Sequence, residues 1–276
     1  MNSPEPGSYE FSSAVSRIDT SVAHPARRYD YWLGGKDNFA ADRESGEAVA
    51  AAFPTIRMAA LENRGFLRRA VTYLAKEAGI RQFLDIGSGL PTSPNVHEIA
   101  QAITPAARVV YADNDPIVLA HARALLNSSR EGATAYLDAD LHEPEKILDH
   151  PELRATLDLS QPVALTLVAI LHFFPDDQQP YEIVSRLVNA LPSGSYLVMS
   201  HATVDYATPQ AIKDINAGRY GTLCPRSRDE FAHFFTSLEL VPPGIVSVAE
   251  WGAENDDEPR PTVADVAIYG GVGRLP

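Results

Sequence analysis

An aspartate and two glycines stand close together in the first third of the chain, in the sequence Asp85-Ile-Gly87-Ser-Gly89. They end and follow the short apolar run 81–86, which has the character of a buried strand. Glycines at a strand end permit a tight turn and let a ligand approach bare backbone, although an ordinary strand-to-helix turn uses glycine as well. The Asp85 carboxylate repels phosphate and favours a ligand with an ammonium or sulfonium group.

Two further acidic residues follow the next two apolar runs. Asp113 follows 108–112, where a carboxylate can accept hydrogen bonds from both hydroxyls of a ribose or can simply begin a turn. Asp140 follows a third run, 134–139, with Leu141 beside it. There a carboxylate can accept from the adenine amine while the apolar side chain packs on the ring, and the alternative is a solvated loop acid.

Two residues are candidates for catalysis. His172 lies in the sequence Leu-His-Phe-Phe just after a fourth apolar run, where it could be a general base, a substrate contact or a packed core residue. Tyr31 lies in the aromatic and basic segment 24–39, which precedes the first strand. The aromatic residues of this segment could form a lid over the site or anchor the segment to the core, and both interpretations stay open.

Strand and helix patterns alternate along the part of the chain that carries these acids. The runs with strand character are 81–86, 108–112, 134–139, 163–168 and 196–200. Four such alternations predict a parallel sheet with right-handed crossovers and helices on both faces. Because ligands bind beyond the carboxyl ends of such strands, the acids and the histidine should meet at one edge of the sheet.

Helix signals place the elements before and between the strands. Helical periodicity predicts helices over 42–52 and 56–78, ahead of the first strand. Ser93 followed by Pro94 predicts a helix over 94–103, with serine as the N-cap and proline at the first helical position. The remaining predicted helices are 116–126, 180–190 and 208–218.

The C-terminal part of the chain has a different pattern. Ser227 and Glu230 form a capping box, which predicts a helix that continues to residue 237. Strands are predicted at 245–251 and 263–269, and the acidic, proline-containing stretch between them would let them pair in antiparallel fashion at the sheet edge.

Composition limits the partners and the compartment. The 276 residues include 23 lysines and arginines against 36 aspartates and glutamates, a net charge of −13, which argues against nucleic acid or an anionic membrane as the main partner. The sequence shows no signal peptide and no transmembrane segment. The single cysteine, Cys224, excludes an intrachain disulfide and fits a cytoplasmic protein. The histidine spacing suits no metal site, so we expect no metal.

Taken together, these motifs resemble class I S-adenosylmethionine-dependent methyltransferases. The resemblance is closer to one family of S-adenosyl methyltransferases, found largely in actinobacteria and long catalogued as a domain of unknown function. The segments that carry it are DTSVAHPARRYDYWLGGKDNF, NRGFLRRAV, FLDIGSGLPTSPNVHEIAQ and ILHFFPDD. It extends from about residue 18 to the C-terminus and includes the final ADVAIYGGVGR.

The resemblance implies an α/β, Rossmann-like class I methyltransferase fold. Its sheet would have seven strands, mostly parallel, with helices on both faces and an antiparallel C-terminal strand. The chain would divide into a flexible leader (1–20), an N-terminal helical or lid segment (21–79) and a domain that binds S-adenosylmethionine (80–276). S-adenosylhomocysteine would be the product.

The resemblance also implies roles for the site residues. Asp85 would hold the methionine end of the cofactor, Asp113 the ribose and Asp140 the adenine amine. Arg64 would pair with the cofactor's carboxylate as a forked donor. The other implied cofactor contacts are Gly87, Ser88, Gly89, Asn114, Leu141 and Ala169. Pro91 stands where a third glycine is common, which stiffens the loop.

Two other functions share parts of this pattern. A nicotinamide-dependent oxidoreductase shares the glycine turn and the acid after the second strand, but its full G-x-G-x-x-G fingerprint fails at Thr92. A protein that binds S-adenosylmethionine without transferring methyl is compatible with the same residues. The expected acceptor is a small molecule of unidentified structure, because the charge disfavours nucleic acid and no motif names a substrate.

Overall fold

The computed structural model describes residues 19–125, 127–254, 256 and 259–276. The helices are α1 (Pro25–Trp32), α2 (Ala40–Ala52), α3 (Ile56–Lys76), α4 (Val96–Ile103), α5 (Pro116–Leu125), α6 (Pro144–Leu148), α7 (Pro151–Thr156), α8 (Pro180–Asn189), α9 (Pro209–Asn216), α10 (Arg228–Ala232) and α11 (Val263–Val266). Short 3-10 turns cover Leu171–Phe173, Asp176–Gln178 and His233–Phe235. All but the last two residues of the leader expected at 1–20 lie outside the described residues.

One sheet contains all the strands of the described residues. They are β1 (Gln82–Ile86), β2 (Arg108–Asp113), β3 (Ala133–Asp138), β4 (Ala164–Val168), β5 (Tyr196–Ala202), β6 (Glu239–Leu240), β7 (Val246–Ser247) and β8 (Ile268–Arg274). The order is β3-β2-β1-β4-β5-β8-β6, and β7 also pairs with β8. Strands β1 to β5 are parallel, whereas β8 runs antiparallel to β5, β6 and β7. The predicted parallel sheet with an antiparallel C-terminal strand is therefore confirmed, with eight strands instead of seven because the segment before β8 supplies two two-residue strands.

The strand order reverses between β1 and β4. From β1 the chain moves outward to β2 and β3, then returns across β1 to form β4 on its other side. The crossovers diverge at this point, so the carboxyl ends of β1 and β4 border a crevice. The fold therefore places the residues after β1 and after β4 around one opening.

Apolar side chains are buried on both faces of the sheet. In β1, Phe83 packs in a cluster with Phe66 and Leu74 of α3, while Leu84 and Ile86 belong to the cluster on the opposite face. Every residue of β1 is buried. This is the pattern of a central parallel strand covered by helices on both sides.

The long helix α3 connects the N-terminal segment to the site. Its buried face includes Ala59, Asn63, Phe66, Ala70 and Leu74 at helical spacing. Helices α1 and α2 pack on each other and also contact α3. A polar residue, Asn63, therefore lies within an otherwise apolar stripe that faces the sheet.

The predicted start of the helix after β1 was wrong by two residues. The helix begins at Val96, and Asn95 instead of Ser93 is its N-cap. The Glu98 carboxylate accepts a hydrogen bond from the Asn95 backbone N–H at 2.5 Å, which satisfies a donor at the helix end. This capping box places the helix start after the proline.

The predicted C-terminal elements also need correction. Of residues 245–251, only Val246 and Ser247 form a strand, because the chain then turns toward α3, where the Trp251 ring packs edge-on to Phe66 at 5.6 Å. Residues 263–266 form helix α11, capped by Thr262, and the strand begins only at Ile268. The helix predicted to reach residue 237 ends as α10 at Ala232 and continues as a 3-10 turn.

No helix among the described residues combines the length and the apolar character that crossing a membrane requires.

Candidate functional site

The loop after β1 presents bare backbone to an open space. Gly87 and Gly89 have positive φ angles of 71° and 64°, a backbone conformation that favours glycine. A Cβ atom on Gly87 would lie 2.2 Å from Cδ1 of Ile170, whereas a Cβ atom on Gly89 would have nothing within 4 Å. Gly87 therefore permits a close contact with the residues after β4, and the space beside Gly89 is available to a ligand.

Two buried carboxylates flank this loop. Asp85 is 6% exposed and accepts a hydrogen bond from the Thr166 hydroxyl at 2.5 Å. Asp113 is 7% exposed and accepts from the backbone N–H groups of Gly89 at 2.9 Å and Asp115 at 3.0 Å. A carboxylate offers about four acceptor positions, so both groups can still accept hydrogen bonds from a ligand.

The environment of these carboxylates favours a cationic ligand. Burial raises the pKa of Asp85 to about 6, the Thr166 hydrogen bond and the charge of Arg64 oppose this rise, and the charge of Asp113 adds to it. Burial also raises the pKa of Asp113, against the hydrogen bonds from the Asp115 and Gly89 N–H groups. A positive group placed beside Asp85 would stabilise its ionised form.

A small cavity of about 10 Å³ lies beside Asp85 and has room for about one water molecule. Arg64 borders it, and its Nη2 donates to the carbonyl oxygens of Thr92 at 2.5 Å and Pro94 at 2.8 Å. The other lining residues are Ser88, Gly89, Pro91, Asn95, Val96, Tyr111 and Ala122. The structure thus brings Arg64, Asp85, Ser88 and Gly89 together.

Asp140 lies within a polar group after β3. Its Oδ1 accepts from the backbone N–H of His142 at 2.9 Å and lies 2.6 Å from that residue's Nδ1, while its Oδ2 accepts from Asn114 Nδ2 at 3.2 Å. His142 Nε2 lies 3.0 Å from Gln178 Oε1, and its ring stacks on Phe174 at 4.3 Å. Asp140 Oδ2 retains an acceptor position, which suits an amine donor.

These hydrogen bonds shift the pKa values of Asp140 and His142 in opposite directions. Burial alone would raise the pKa of Asp140, but the hydrogen bonds from His142 and Asn114 outweigh it and lower that pKa. Burial would lower the pKa of His142, but its hydrogen bonds to Gln178 and Asp140 raise it. His142 and Gln178 were not identified from the sequence.

Leu141 lies three residues after the end of β3, and Ala169 directly follows β4. The Leu141 side chain is 3% exposed and belongs to the core cluster on one face of the sheet. Ala169 has a φ of 58°, which is uncommon for a residue with a Cβ. Its N–H donates to the Ser200 hydroxyl at 3.0 Å, so the unusual conformation is held by β5.

A chain of buried hydrogen bonds joins the N-terminal helices to the end of β4. The Ser200 hydroxyl accepts from Ala169 and donates to Asn63 Oδ1 at 2.6 Å. Asn63 Nδ2 donates to the Tyr29 hydroxyl at 2.9 Å, and that hydroxyl donates to the Ala60 carbonyl at 3.0 Å. Asn63 is 1% exposed. The network positions α1 and α3 relative to the crevice.

His172 lies at the carboxyl end of β4 and is 8% exposed. Its Nδ1 accepts a hydrogen bond from the Ala202 N–H at 3.3 Å, which assigns the ring proton to Nε2. Burial lowers the pKa of His172 well below its usual value, and the charges of His201, Arg28 and Arg226 lower it further. The ring is therefore neutral and presents an N–H donor instead of a basic nitrogen at Nε2.

Tyr31 contacts a different part of the molecule. Its hydroxyl donates to the Glu47 carboxylate, and the Arg57 guanidinium lies 4.7 Å from its ring centre. Both partners are exposed residues of α2 and α3. Of the two candidate catalytic residues, the structure brings His172 to the carboxyl ends of the strands, while the described contacts of Tyr31 lie on the outside.

Within the described part of the chain, no group of three or more His, Cys, Asp or Glu side chains could hold a metal ion. The polar groups that the site does offer are buried carboxylates with free acceptor positions and one neutral imidazole N–H. This set suits a ligand with a positive charge at one end and hydroxyl and amine donors at the other. A pyrophosphate beside Asp85 and Asp113 would be repelled by both.

Comparisons with known proteins agree with this chemistry. Residues 12–276 match the S-adenosyl methyltransferase family. A DUF574 family protein from Streptomyces avermitilis is 51% identical, with 94% of this chain and 100% of that chain covered and a TM-score of 0.87. A candidate methyltransferase from Thermobifida fusca is 42% identical over 93% of this chain and 96% of its own, with a TM-score of 0.83. No curated protein matches the chain.

A more distant structure supports the fold alone. An O-methyltransferase family protein from Burkholderia thailandensis is 13% identical over 97% of this chain and 70% of its own, with a TM-score of 0.52. The family match spans nearly the whole chain, and both actinobacterial structures share more than two fifths of their residues with it. The chain therefore belongs to the S-adenosyl methyltransferase family and is an S-adenosylmethionine-dependent methyltransferase of class I fold.

Proposed function

We propose that the protein methylates a small-molecule acceptor bound at the carboxyl ends of β4 and β5. The observation that carries this proposal is the pair of buried carboxylates, Asp85 and Asp113, on either side of the open backbone at Gly89. The cofactor, when bound, supplies an activated methyl group on a sulfonium. The protein's residues then need to bind, orient and exclude water.

The free acceptor positions at the site support the proposed roles of the cofactor-binding residues. Asp85 takes the positively charged methionine end, with Arg64 at the same cavity for the carboxylate of the cofactor. Asp113 takes the ribose hydroxyls through the acceptor positions that Gly89 and Asp115 leave free. The remaining predicted contacts are Gly87, Ser88, Asn114, Asp140, Leu141 and Ala169.

The N-terminal segment 21–79 acts as the lid of the domain formed by residues 80–276. The Asn63 network supports this role, because it ties the segment to Ser200 and Ala169 at the end of β4. His172 contributes a hydrogen-bond donor to the acceptor and no general base, because Nδ1 is engaged by the Ala202 N–H. The acceptor atom that receives the methyl group is then one that reacts without losing a proton to His172.

The net charge of −13 favours a small acceptor over nucleic acid. That the protein has no membrane partner and lies in the cytoplasm stay predictions. Turnover separates a transferase from a protein that only binds the cofactor. The protein is incubated with S-adenosylmethionine and either the low-molecular-weight or the macromolecular fraction of a cell extract. Formation of S-adenosylhomocysteine with the small-molecule fraction alone supports the proposal, and formation only with macromolecules contradicts the acceptor class.

Asp113→Ala tests the cofactor site. Hydrogen bonds to a charged group contribute about 1.5–3 kcal/mol, so the affinity for S-adenosylmethionine should fall by about 10- to 150-fold in calorimetric titration. Asp149→Ala is the matched control, since that carboxylate is 73% exposed and pairs with Arg154. NAD, titrated in parallel, should not bind. An unchanged affinity in Asp113→Ala would show that the ribose assignment is wrong.

A further inference from the structure

Arg28 is a buried arginine without a carboxylate partner. Arg28 is 8% exposed, and among the described residues no carboxylate lies within ion-pair distance of its guanidinium. Its Nη1 donates to Ser45 Oγ at 3.2 Å and to the Tyr220 carbonyl at 3.0 Å, while its buried Nε finds no partner in the described chain. Burial lowers the pKa of Arg28, with the more distant charge of Asp42 opposing this effect.

The unused atoms of Arg28 form one edge of the guanidinium. The two hydrogen bonds of the side chain both leave from Nη1, so Nε and Nη2 keep their N–H groups. This edge has the spacing that binds both oxygens of a carboxylate. A buried charge that lacks a partner is costly, which indicates that an anion completes the site when the protein works.

A second free donor lies in the same region. His172 uses Nδ1 to accept from Ala202, and Nε2 has no hydrogen-bond partner among the described residues. The chain from Tyr220 to Cys224 contacts both residues, since the Tyr220 carbonyl accepts from the Arg28 side chain and the Cys224 N–H donates to the backbone carbonyl of His172 at 2.7 Å. The positive charge of Arg28 acts on the His172 ring.

A second buried arginine, Arg226, has hydrogen-bond partners for both of its terminal nitrogens. Arg226 is 5% exposed, and its two terminal nitrogens donate to the carbonyls of Leu171 and Phe174, to His201 Nε2 and to Asp176 Oδ1. Arg28, by contrast, keeps unpaired N–H groups that can bind a ligand. One guanidinium edge and one neutral imidazole N–H suit the single charge of a carboxylate better than the double charge of a phosphate monoester.

We propose that the methyl acceptor carries a carboxylate, which Arg28 binds through Nε and Nη2 while His172 Nε2 donates to the same bound molecule. This inference rests on the proposed function and names the acceptor class of that site. Arg28 lies on α1 and His172 follows β4, so an acid bound by both is held between the N-terminal segment and the crevice. The carboxylate is the handle, and another atom of the acceptor receives the methyl group.

Binding of model acids to the protein loaded with S-adenosylhomocysteine tests the inference. The probes are acetate, benzoate and 4-hydroxybenzoate, each titrated beside its primary amide, and inorganic phosphate. We expect at least one acid to bind tenfold or more tightly than its amide. Arg28→Gln should remove this preference and leave the affinity for S-adenosylhomocysteine within twofold of the parent. Arg28→Lys should keep only part of it, because lysine lacks the fork.

Arg57→Gln is the control, because that arginine pairs with Glu47 at an exposed position and should leave acid binding unchanged. If Arg28→Gln fails to fold, the arginine Nε–H resonances of the parent, followed by NMR during the benzoate titration, should show one signal that shifts. Acids that bind no better than amides, an acid preference that survives Arg28→Gln, or phosphate that binds more tightly than the acids would each overturn the inference. If the parent protein does not bind S-adenosylhomocysteine, the proposed function itself is rejected.

Discussion

The Asp85 carboxyl group is buried at the loop after β1, where it accepts a hydrogen bond from the neutral Thr166 hydroxyl. A second buried acid, Asp113, flanks the same loop. Burial raises the pKa of Asp85 to about 6, within the range in which ligand affinity can be titrated. Ligand binding and proton binding therefore compete at this residue, because a positive methionine end favours the ionised carboxylate.

The affinity for S-adenosylmethionine should consequently rise with pH. Below the Asp85 pKa of about 6 the carboxyl is mostly protonated and attracts the cation poorly, so the dissociation constant should fall by up to about tenfold per pH unit and level off above that value. Calorimetric titrations between pH 5 and pH 8 measure this slope.

Asp85→Asn should bind weakly and with little pH dependence, while Asp149→Asn should retain the slope of the parent. A parent protein whose affinity is flat between pH 5 and pH 6 would contradict the assignment.

The same raised pKa of Asp85 also affects the stability of the unliganded protein. The native state holds its proton to higher pH than the unfolded chain, so this group lowers stability as pH rises from about 4 to about 6.

At the scale of elements, α3 both packs on the sheet and carries a polar link to β5. Its apolar face, including Phe66 and Leu74, packs on the sheet, and Asn63 in the same stripe reaches Ser200 of β5. The hydrogen bonds of Asn63 hold Tyr29 of α1 on one side and Ser200 on the other. A short polar side chain therefore connects three elements around the crevice.

Asn63→Ala should destabilise the protein by about 2–3 kcal/mol, because the buried hydroxyls of Tyr29 and Ser200 each lose a partner. The free energy of unfolding from urea titration measures the loss. Asn189→Ala is the matched control, since Asn189 bonds Ser185 on an exposed face of α8, and it should change stability by less than about 0.5 kcal/mol. A loss in Asn63→Ala no larger than that of the control would show that the network is not a structural link.

The sequence predicted the elements that carry strong local signals. The central strands, α3 and the capping box at Ser227 were found because apolar periodicity and cap chemistry act over a few residues. The segment before β8 was predicted wrongly for two reasons. Residues 263–266 have the composition of a strand but form a helix capped by Thr262, and Trp251 packs on Phe66 instead of continuing a strand. Tertiary packing decides such segments.

At the scale of the whole molecule, the site is assembled from distant parts of the chain. Asp85, Asp113 and Asp140 could be grouped from the sequence because strand order alone brings the ends of β1, β2 and β3 to one edge. The partnership of Asn63 with Ser200 spans 137 positions and depends on how α3 crosses the sheet. No local pattern could indicate it, apart from a polar residue within an apolar helix face.

Because the site joins the N-terminal helices to the sheet, ligand binding should stabilise the whole fold. At a concentration 100 times its dissociation constant, S-adenosylhomocysteine should add about 2.7 kcal/mol, which raises Tm by about 5 °C for a chain of this size. At the same concentration, Asp113→Ala, with 10- to 150-fold weaker binding, should show a shift below about 3 °C. Asp149→Ala should match the parent. An equal shift with NAD in the parent would mean that the site recognises only the adenosine moiety common to both ligands.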